Sequence, residues 1–237
     1  MEKEEIYATL NQAYFADDCH ERELLENLPR FIAKARFFVD VGASLGQYTR
    51  AASHAMRNGR VLAIEADPVR QEELARNAVR WAGETSCRID TMFAAVADSP
   101  GEATFFTTHS NVSGALFPHE AGDGVIWQEI RVPAVTLDDV CGTAVPDFVK
   151  ADVEGAELRM LKGASRILAA RRTVFLLEIH PWNDPNAPTS ESVTAYMRRQ
   201  GYYPASFYEH TLFMPFGLRY LREKAGGRWR SLRRRLL

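Results

Sequence analysis

The chain has 237 residues, 46% of them hydrophobic and 25% charged, which is ordinary for a soluble globular protein and enough for one sizeable core. No stretch approaches the roughly 20 apolar residues that span a bilayer, Met1-Glu-Lys-Glu-Glu does not open a secretory signal, and Cys19, Cys87 and Cys141 are odd in number and form no CxxC pair, so a reducing cytoplasm is expected. The formal charge of −2 hides an asymmetry: from Arg219 onward eight Lys/Arg face Glu223 alone, a net of +7, which leaves −9 on the rest and argues against a general nucleic-acid binder.

Residues 1–35 read as a helical N-terminal extension. Ile6, Leu10, Ala13 and Tyr14 share one face, and Leu24, Leu25, Leu28, Phe31 and Ile32 another, with Asp17-Asp18 and Pro29 as breaks. From 36 to 217 short apolar runs alternate with amphipathic segments. The predicted strands are Phe37–Val41, Val61–Glu65, Met92–Val96, Phe148–Asp152 and Thr173–Ile179, with shorter ones near Tyr202–Phe207 and Thr211–Pro215. The predicted helices run from Gly46 to Met56, from Asp67-Pro68 onward, from Glu157 to Leu168 and from Ser190 to Gln200. Near-continuous apolar strands separated by helices imply a doubly wound, Rossmann-like α/β sheet, mostly parallel, with an antiparallel strand near the C-terminus. Ligands of such sheets sit beyond the carboxyl ends of the strands, where Asp40, Glu65, Asp152, Glu178 and His180 fall.

The turn after the first strand reads Asp40-Val-Gly42-Ala-Ser-Leu-Gly46-Gln-Tyr48-Thr49. Gly42 permits a tight turn with positive φ, and Gly46 would let a helix N-terminus approach a ligand. Glu65 ends the second strand 25 residues after Asp40 and is placed to accept both ribose hydroxyls of an adenosine. A GxxxG turn preceded by an acid suits an ammonium- and sulfonium-bearing cofactor better than a pyrophosphate, so S-adenosylmethionine is favoured over a nicotinamide dinucleotide.

Phe38-Val-Asp-Val-Gly-Ala-Ser-Leu-Gly-Gln-Tyr-Thr49 resembles the cofactor loop of FkbM-type S-adenosylmethionine-dependent methyltransferases, which commonly reads DVGANxGxYT; Ser44 stands in place of its asparagine. Four further blocks resemble the same family in the same order: Ala95–Gly101, Val135–Val140, Asp147–Leu158 with Leu161–Ala164, and Leu177–His180. Together they cover residues 37–180. The resemblance implies methyl transfer, usually to oxygen on a sugar, glycan or natural-product acceptor. It implies that Asp40, Gly42, Ala43, Ser44 and Gly46 hold the methionine part of the cofactor, with Tyr48 and Thr49 beside them. Glu65 and Ala66 would hold the ribose, and Ala95 and Val96 would line the adenine slot. An N-methyltransferase and a catalytically inactive cofactor-binding module remain the alternatives.

An alcohol acceptor must lose its proton, so a base is sought at the sheet's carboxyl edge. Asp152, His180 and Glu154 are the candidate catalytic residues, His180 because it is expected to titrate near neutrality. Lys150 reads as pointing away from Asp152 and pairing with a carboxylate. Glu154 reads equally as a helix cap, and Glu157 and Lys162 as helix-surface charges. His20, His54 and His210 show no clustered partners. Asp152, Glu178 and His180 are chemically able to hold a divalent cation, but no HxH or HExxH spacing supports one and no metal is assigned.

Residues 108–128 form a long Gly/Ser/Asn-containing segment with His109, Asn111, Ser113, Phe117, His119 and Trp127, suited to a lid over a polar acceptor. Residues 218–237 form a basic tail. Leu218, Leu221, Ala225, Trp229, Leu232 and Leu236 recur at helical spacing, the pattern of a segment lying on an anionic membrane, with Gly226-Gly227 counting against it.

Overall fold

The computed structural model describes residues 21–108, 114–115, 127–180 and 189–216. The expected helical face Ile6–Tyr14, most of the 108–128 segment and the basic tail lie outside the described residues.

A seven-stranded sheet forms the centre. Its strands are β1 (Phe37–Val41), β2 (Arg60–Glu65), β3 (Arg88–Phe93), β8 (Phe148–Ala151), β9 (Val174–Leu177), β10 (Tyr202–Phe207) and β11 (His210–Pro215), in spatial order β10-β11-β9-β8-β1-β2-β3. The pairs β3–β2, β2–β1, β1–β8 and β8–β9 are parallel, and β11 runs antiparallel between β9 and β10, the expected exception. Every residue of β1, β8 and β9 is buried, which is why these runs are apolar without alternation, save for the buried Asp40 and Lys150.

Both faces are covered. On one, Val39, Val41, Val149, Phe175 and Leu177 pack with α5 (Leu137–Cys141), α6 (Glu157–Lys162), α7 (Ser165–Ala170) and α8 (Ser190–Arg199) through Leu137, Met160, Leu161, Ile167, Leu168, Val193 and Met197. On the other, Phe38, Phe148 and Leu176 meet α1 (Arg22–Asn27), α2 (Pro29–Ile32) and α3 (Gln47–Ala55) through Leu24, Leu28, Ile32, Ala52 and neighbours. The described part of the N-terminal extension is therefore built into the core. Asp67 caps α4 (Pro68–Ala82), accepting from the N–H groups of Val69 and Arg70 at 2.9 and 3.1 Å, with Pro68 in the first turn.

Two boundaries differ from expectation. The third strand is not Met92–Val96: it ends at Phe93, and β4 (Ala95–Val96) joins a second, four-stranded sheet with β7 (Trp127–Val135), β5 (Gly101–Thr108) and β6 (Gly114–Ala115). The expected helix Glu157–Leu168 breaks into α6 and α7 at Gly163, where a Cβ would collide with the carbonyl of Ala97. That close approach ties the second sheet's entry to the main domain.

Candidate active site

The turn from β1 into α3 is held by the strand beside it. The N–H groups of Gly42 and Ala43 both donate to the carbonyl of Ile64, at 2.9 and 3.0 Å. The N–H of Ser44 donates to Glu65 Oε2 at 2.7 Å, while Ala66 and Asp67 donate to Oε1 at 2.9 and 2.8 Å. Glu65 is thus the organiser of both loops as well as a lining group. Burial pushes its carboxyl above the usual range, against the pull of Arg70 and these N–H donors. Gly42 has φ +68°, as a tight turn requires, and its missing Cβ makes room for the carbonyl of Asp152.

A cavity of about 140 Å³ opens above this turn. Of the residues expected to hold the cofactor, Gly42, Ala43, Ser44, Tyr48, Glu65, Ala66, Ala95 and Val96 line it. Asp40, Gly46 and Thr49 do not. Asp40 lies fully buried beneath, its Oδ2 accepting from the Thr49 hydroxyl at 2.6 Å and its Oδ1 without a hydrogen-bond partner. The expected role of Gly46 is corrected: with φ +93° it gives space to Leu74 and Trp81 of α4, whose side chains would meet its Cβ at 2.8 Å, rather than to a ligand.

The cavity also takes in residues the sequence reading missed: Glu21, Gln47, Arg70, Phe105, Lys150 and Val153 among them. Phe105 and Glu21 come from elements far along the chain and carry no local signal. Lys150 and Asp152 do, and that expectation is corrected too. Residues two apart on a strand share a side, and Lys150 Nζ lies 3.5 Å from Asp152 Oδ2 and 4.4 Å from the centre of the Tyr48 ring. Burial opposes the charge on Lys150, but Asp152, Glu21, Asp40 and Glu178 outweigh it and raise its pKa.

The methyltransferase FkbM domain matches residues 40–204, well over half of the sequence. The chain belongs to the FkbM methyltransferase family. Among solved structures it is similar to the FkbM methyltransferase of Methylobacillus flagellatus (18% identity, TM-score 0.52, 89% of this chain and 58% of that one). It is also similar to a methyltransferase from Geobacter sulfurreducens (15%, TM-score 0.50, 89% and 88%). A third is the magnesium protoporphyrin IX methyltransferase of Synechocystis, solved with S-adenosylmethionine bound (9%, TM-score 0.51, 90% and 96%). At these identities the likeness is one of fold, and the chain spans 58% of the Methylobacillus protein's length. Among curated proteins none matches.

The cofactor of an FkbM methyltransferase is S-adenosylmethionine, and the residues present fit it. A small-residue turn leaves room above β1, Glu65 lines the cavity with a single N–H donor on its Oε2, and Ala95, Val96 and Phe105 offer an apolar slot.

Beyond the ends of β8 and β9 lies a group of acids around one imidazole, of which Asp152 and Glu154 line the cavity. His180 Nε2 lies 3.3 Å from Glu178 Oε1 and 3.8 Å from Glu154 Oε2, and its Nδ1 lies 3.7 Å from Glu157 Oε1 and 3.8 Å from Asp152 Oδ1. Burial opposes protonation, but the four carboxylates dominate and push His180 up to about 11. That lies well above the near-neutral titration expected of it, and favours the protonated imidazole among these neighbours. Glu154 does not cap α6, whose N-terminal residue Ala156 has no side-chain cap. Instead Glu154 takes a left-handed φ of 52° and lines the cavity, with burial and then Asp152 pushing its carboxyl up to about 7. Glu157 is fully buried rather than a surface charge, its Oε1 accepting from the N–H of Gly155 at 3.0 Å. His210 also departs from expectation. Its side chain is 3% exposed, and Nε2 lies 3.3 Å from Glu178 Oε2 and 3.4 Å from Glu21 Oε1. His54 does sit apart from the cavity, 3.5 Å from Glu84.

Proposed function

We propose that the protein transfers the methyl group of S-adenosylmethionine to a hydroxyl oxygen on a sugar, glycan or natural-product acceptor. The observation that carries this reading is that one cavity is lined by the β1 turn and Glu65 together with Asp152 and Glu154. When bound, the cofactor supplies an electrophilic methyl group on a sulfonium. Gly42–Ser44 would seat its methionine part from below, Glu65 Oε2 would accept from the ribose, and Ala95-Val96 would flank the adenine.

The wall formed by Asp152 and Glu154 would receive the acceptor. Holding the nucleophile in line with the methyl carbon supplies most of the effect, and a neutral hydroxyl gains further from a carboxylate that takes its proton. Asp152 and Glu154 are the carboxylates that reach the cavity there, which favours oxygen over an amine already carrying a lone pair. The acidic body supports a small-molecule or glycan acceptor over a nucleic acid. We place the enzyme in the cytoplasm. No described helix is long and apolar enough to cross a membrane, and the charge and spacing of residues 218–237 support peripheral contact with an anionic inner face.

Isothermal titration with S-adenosylhomocysteine tests the reading directly. Binding below about 1 mM is expected, and its absence overturns the proposal. Transfer of labelled methyl groups to a panel of hydroxylated acceptors then separates an enzyme from an inactive binding module. Asp152→Asn and Glu154→Gln should each lower turnover by roughly 10²-fold or more, with cofactor affinity within a few-fold of the parent. For the tail, flotation with phosphatidylglycerol vesicles at low salt should lift the full chain and not a version ending at Gly217.

A further inference from the structure

The acids beyond β8 and β9 outnumber what a proton-carrying imidazole needs. Asp152, Glu154, Glu157 and Glu178 all approach His180 within 3.8 Å. Donor atoms of Asp152, Glu178 and His180 all lie within 4.8 Å of one another, near enough to share one cation. Lys150 meets Asp152 through Oδ2 only, and Asp152 Oδ1, on the imidazole's side, is buried without a hydrogen bond.

Two further buried groups beside the cluster have atoms without hydrogen-bond partners. Glu157 is 0% exposed and its Oε2 has no hydrogen-bond partner. His210, at 3% side-chain exposure, has neither ring nitrogen hydrogen-bonded, although Nε2 sits 3.3 Å from Glu178 Oε2. Buried polar atoms of this kind are rarely left unmatched. The left-handed backbone of Glu154, a conformation that disfavours non-glycine residues, adds a fourth oxygen-bearing side chain to the same space.

From this arrangement we infer that Asp152, Glu178 and His180 bind a divalent cation at the acceptor end of the cofactor cavity. The ligand backbones are already fixed: Asp152 N–H donates to the carbonyl of Val41 and Glu178 N–H to that of Ala151, both at 3.0 Å. Asp152, Glu178 and His180 side chains are 28%, 23% and 21% exposed, so solvent ions reach them, and Asp152 also lines the cavity. Mixed carboxylate and imidazole donors favour Mn²⁺, Fe²⁺ or Zn²⁺ over Mg²⁺ or Ca²⁺. Resting on the methyl-transfer reading, the cation's part there is to orient the acceptor hydroxyl and ease loss of its proton, which passes to Glu154 or solvent. The oxygen then forms its bond to the methyl carbon as the carbon–sulfur bond breaks and S-adenosylhomocysteine leaves.

The test uses Mn²⁺ with the full chain, followed by electron paramagnetic resonance, alongside calorimetry with S-adenosylhomocysteine. One Mn²⁺ per chain is expected, with nitrogen modulation from the imidazole. His180→Ala should abolish the modulation, and both His180→Ala and Glu178→Gln should weaken Mn²⁺ by at least about tenfold, leaving S-adenosylhomocysteine affinity within a few-fold. Wild-type protein that binds S-adenosylhomocysteine but no Mn²⁺ below about 1 mM overturns the cation site and leaves the methyltransferase reading standing. Mn²⁺ binding with imidazole modulation but no S-adenosylhomocysteine binding does the reverse. Mn²⁺ held equally well by both variants also overturns this site.

Discussion

Asp40 and Lys150 face each other in register on adjacent parallel strands, both nearly inaccessible, at 0% and 3% exposure. No salt bridge joins them directly. Lys150 instead reaches past the Tyr48 ring to Asp152, leaving Asp40 to Thr49. One buried ammonium thus balances the field of Asp40, Asp152, Glu21 and Glu178. Removing it leaves buried carboxylates uncompensated, a change that costs about 3–5 kcal/mol where single partners have been deleted. Lys150→Met should therefore lower the melting temperature by on the order of 10 °C. A variant melting with the parent would mean that the acids are neutral or that solvent reaches them.

Glu65 ties three N–H groups from two loops to one carboxylate, so its removal does more than delete a ribose contact. Glu65→Ala should weaken S-adenosylhomocysteine by about 1–3 kcal/mol and also lower thermal stability in the absence of ligand. Calorimetry and melting curves report the two effects separately. A loss of affinity with unchanged stability would reduce Glu65 to a ligand contact alone.

What the sequence revealed and what it hid follow from the range of the interactions. Phe37–Val41, Phe148–Ala151 and Val174–Leu177 were legible because a strand buried on both faces reads as an apolar run without alternation, interrupted here only by Asp40 and Lys150. The cofactor turn was legible because Gly42 answers a backbone demand within its own loop. The direction of Lys150 was within reach, since strand period two already puts it beside Asp152. Glu21 and His210 were not. They meet across almost the whole chain, His210 on an antiparallel strand beside β9 and Glu21 ahead of α1, and nothing near either residue announces the other. Glu157 was misread for a related reason: one turn of helix does not say whether its face meets solvent or His180.

Ser44 stands where the family's loop commonly has asparagine, and it takes a left-handed φ of 49°. Asparagine enters that region more readily than serine, whose Cβ is strained there by up to roughly 1 kcal/mol. Serine compensates in part by accepting from Arg70 at 3.0 Å. Ser44→Asn should raise the melting temperature by about 2–4 °C with cofactor affinity retained. A lower melting temperature would show that the Arg70 contact outweighs the backbone relief.

Gly42 and Gly46 frame the same turn, yet alanine at the two should fail differently. At Gly42 the new Cβ would strike the carbonyl of Asp152, a backbone atom whose residue is itself tied to Val41 through its N–H. Relief requires the end of β8 to move, and Asp152 moves with it, away from the place where a methyl group would be presented. At Gly46 the Cβ would meet the side-chain tips of Leu74 and Trp81, which can shift within the α4 packing without disturbing the cavity wall. Both positions have left-handed φ, so each substitution carries a comparable backbone cost of about 1–2 kcal/mol. The expected outcome is that Gly46→Ala loses stability but, once folded, binds S-adenosylhomocysteine within a few-fold of the parent. Gly42→Ala should lose stability together with cofactor binding and methyl transfer. Melting curves and calorimetry on the two variants decide it: equal losses of affinity would mean that the turn moves as one unit and that its glycines have no separate roles.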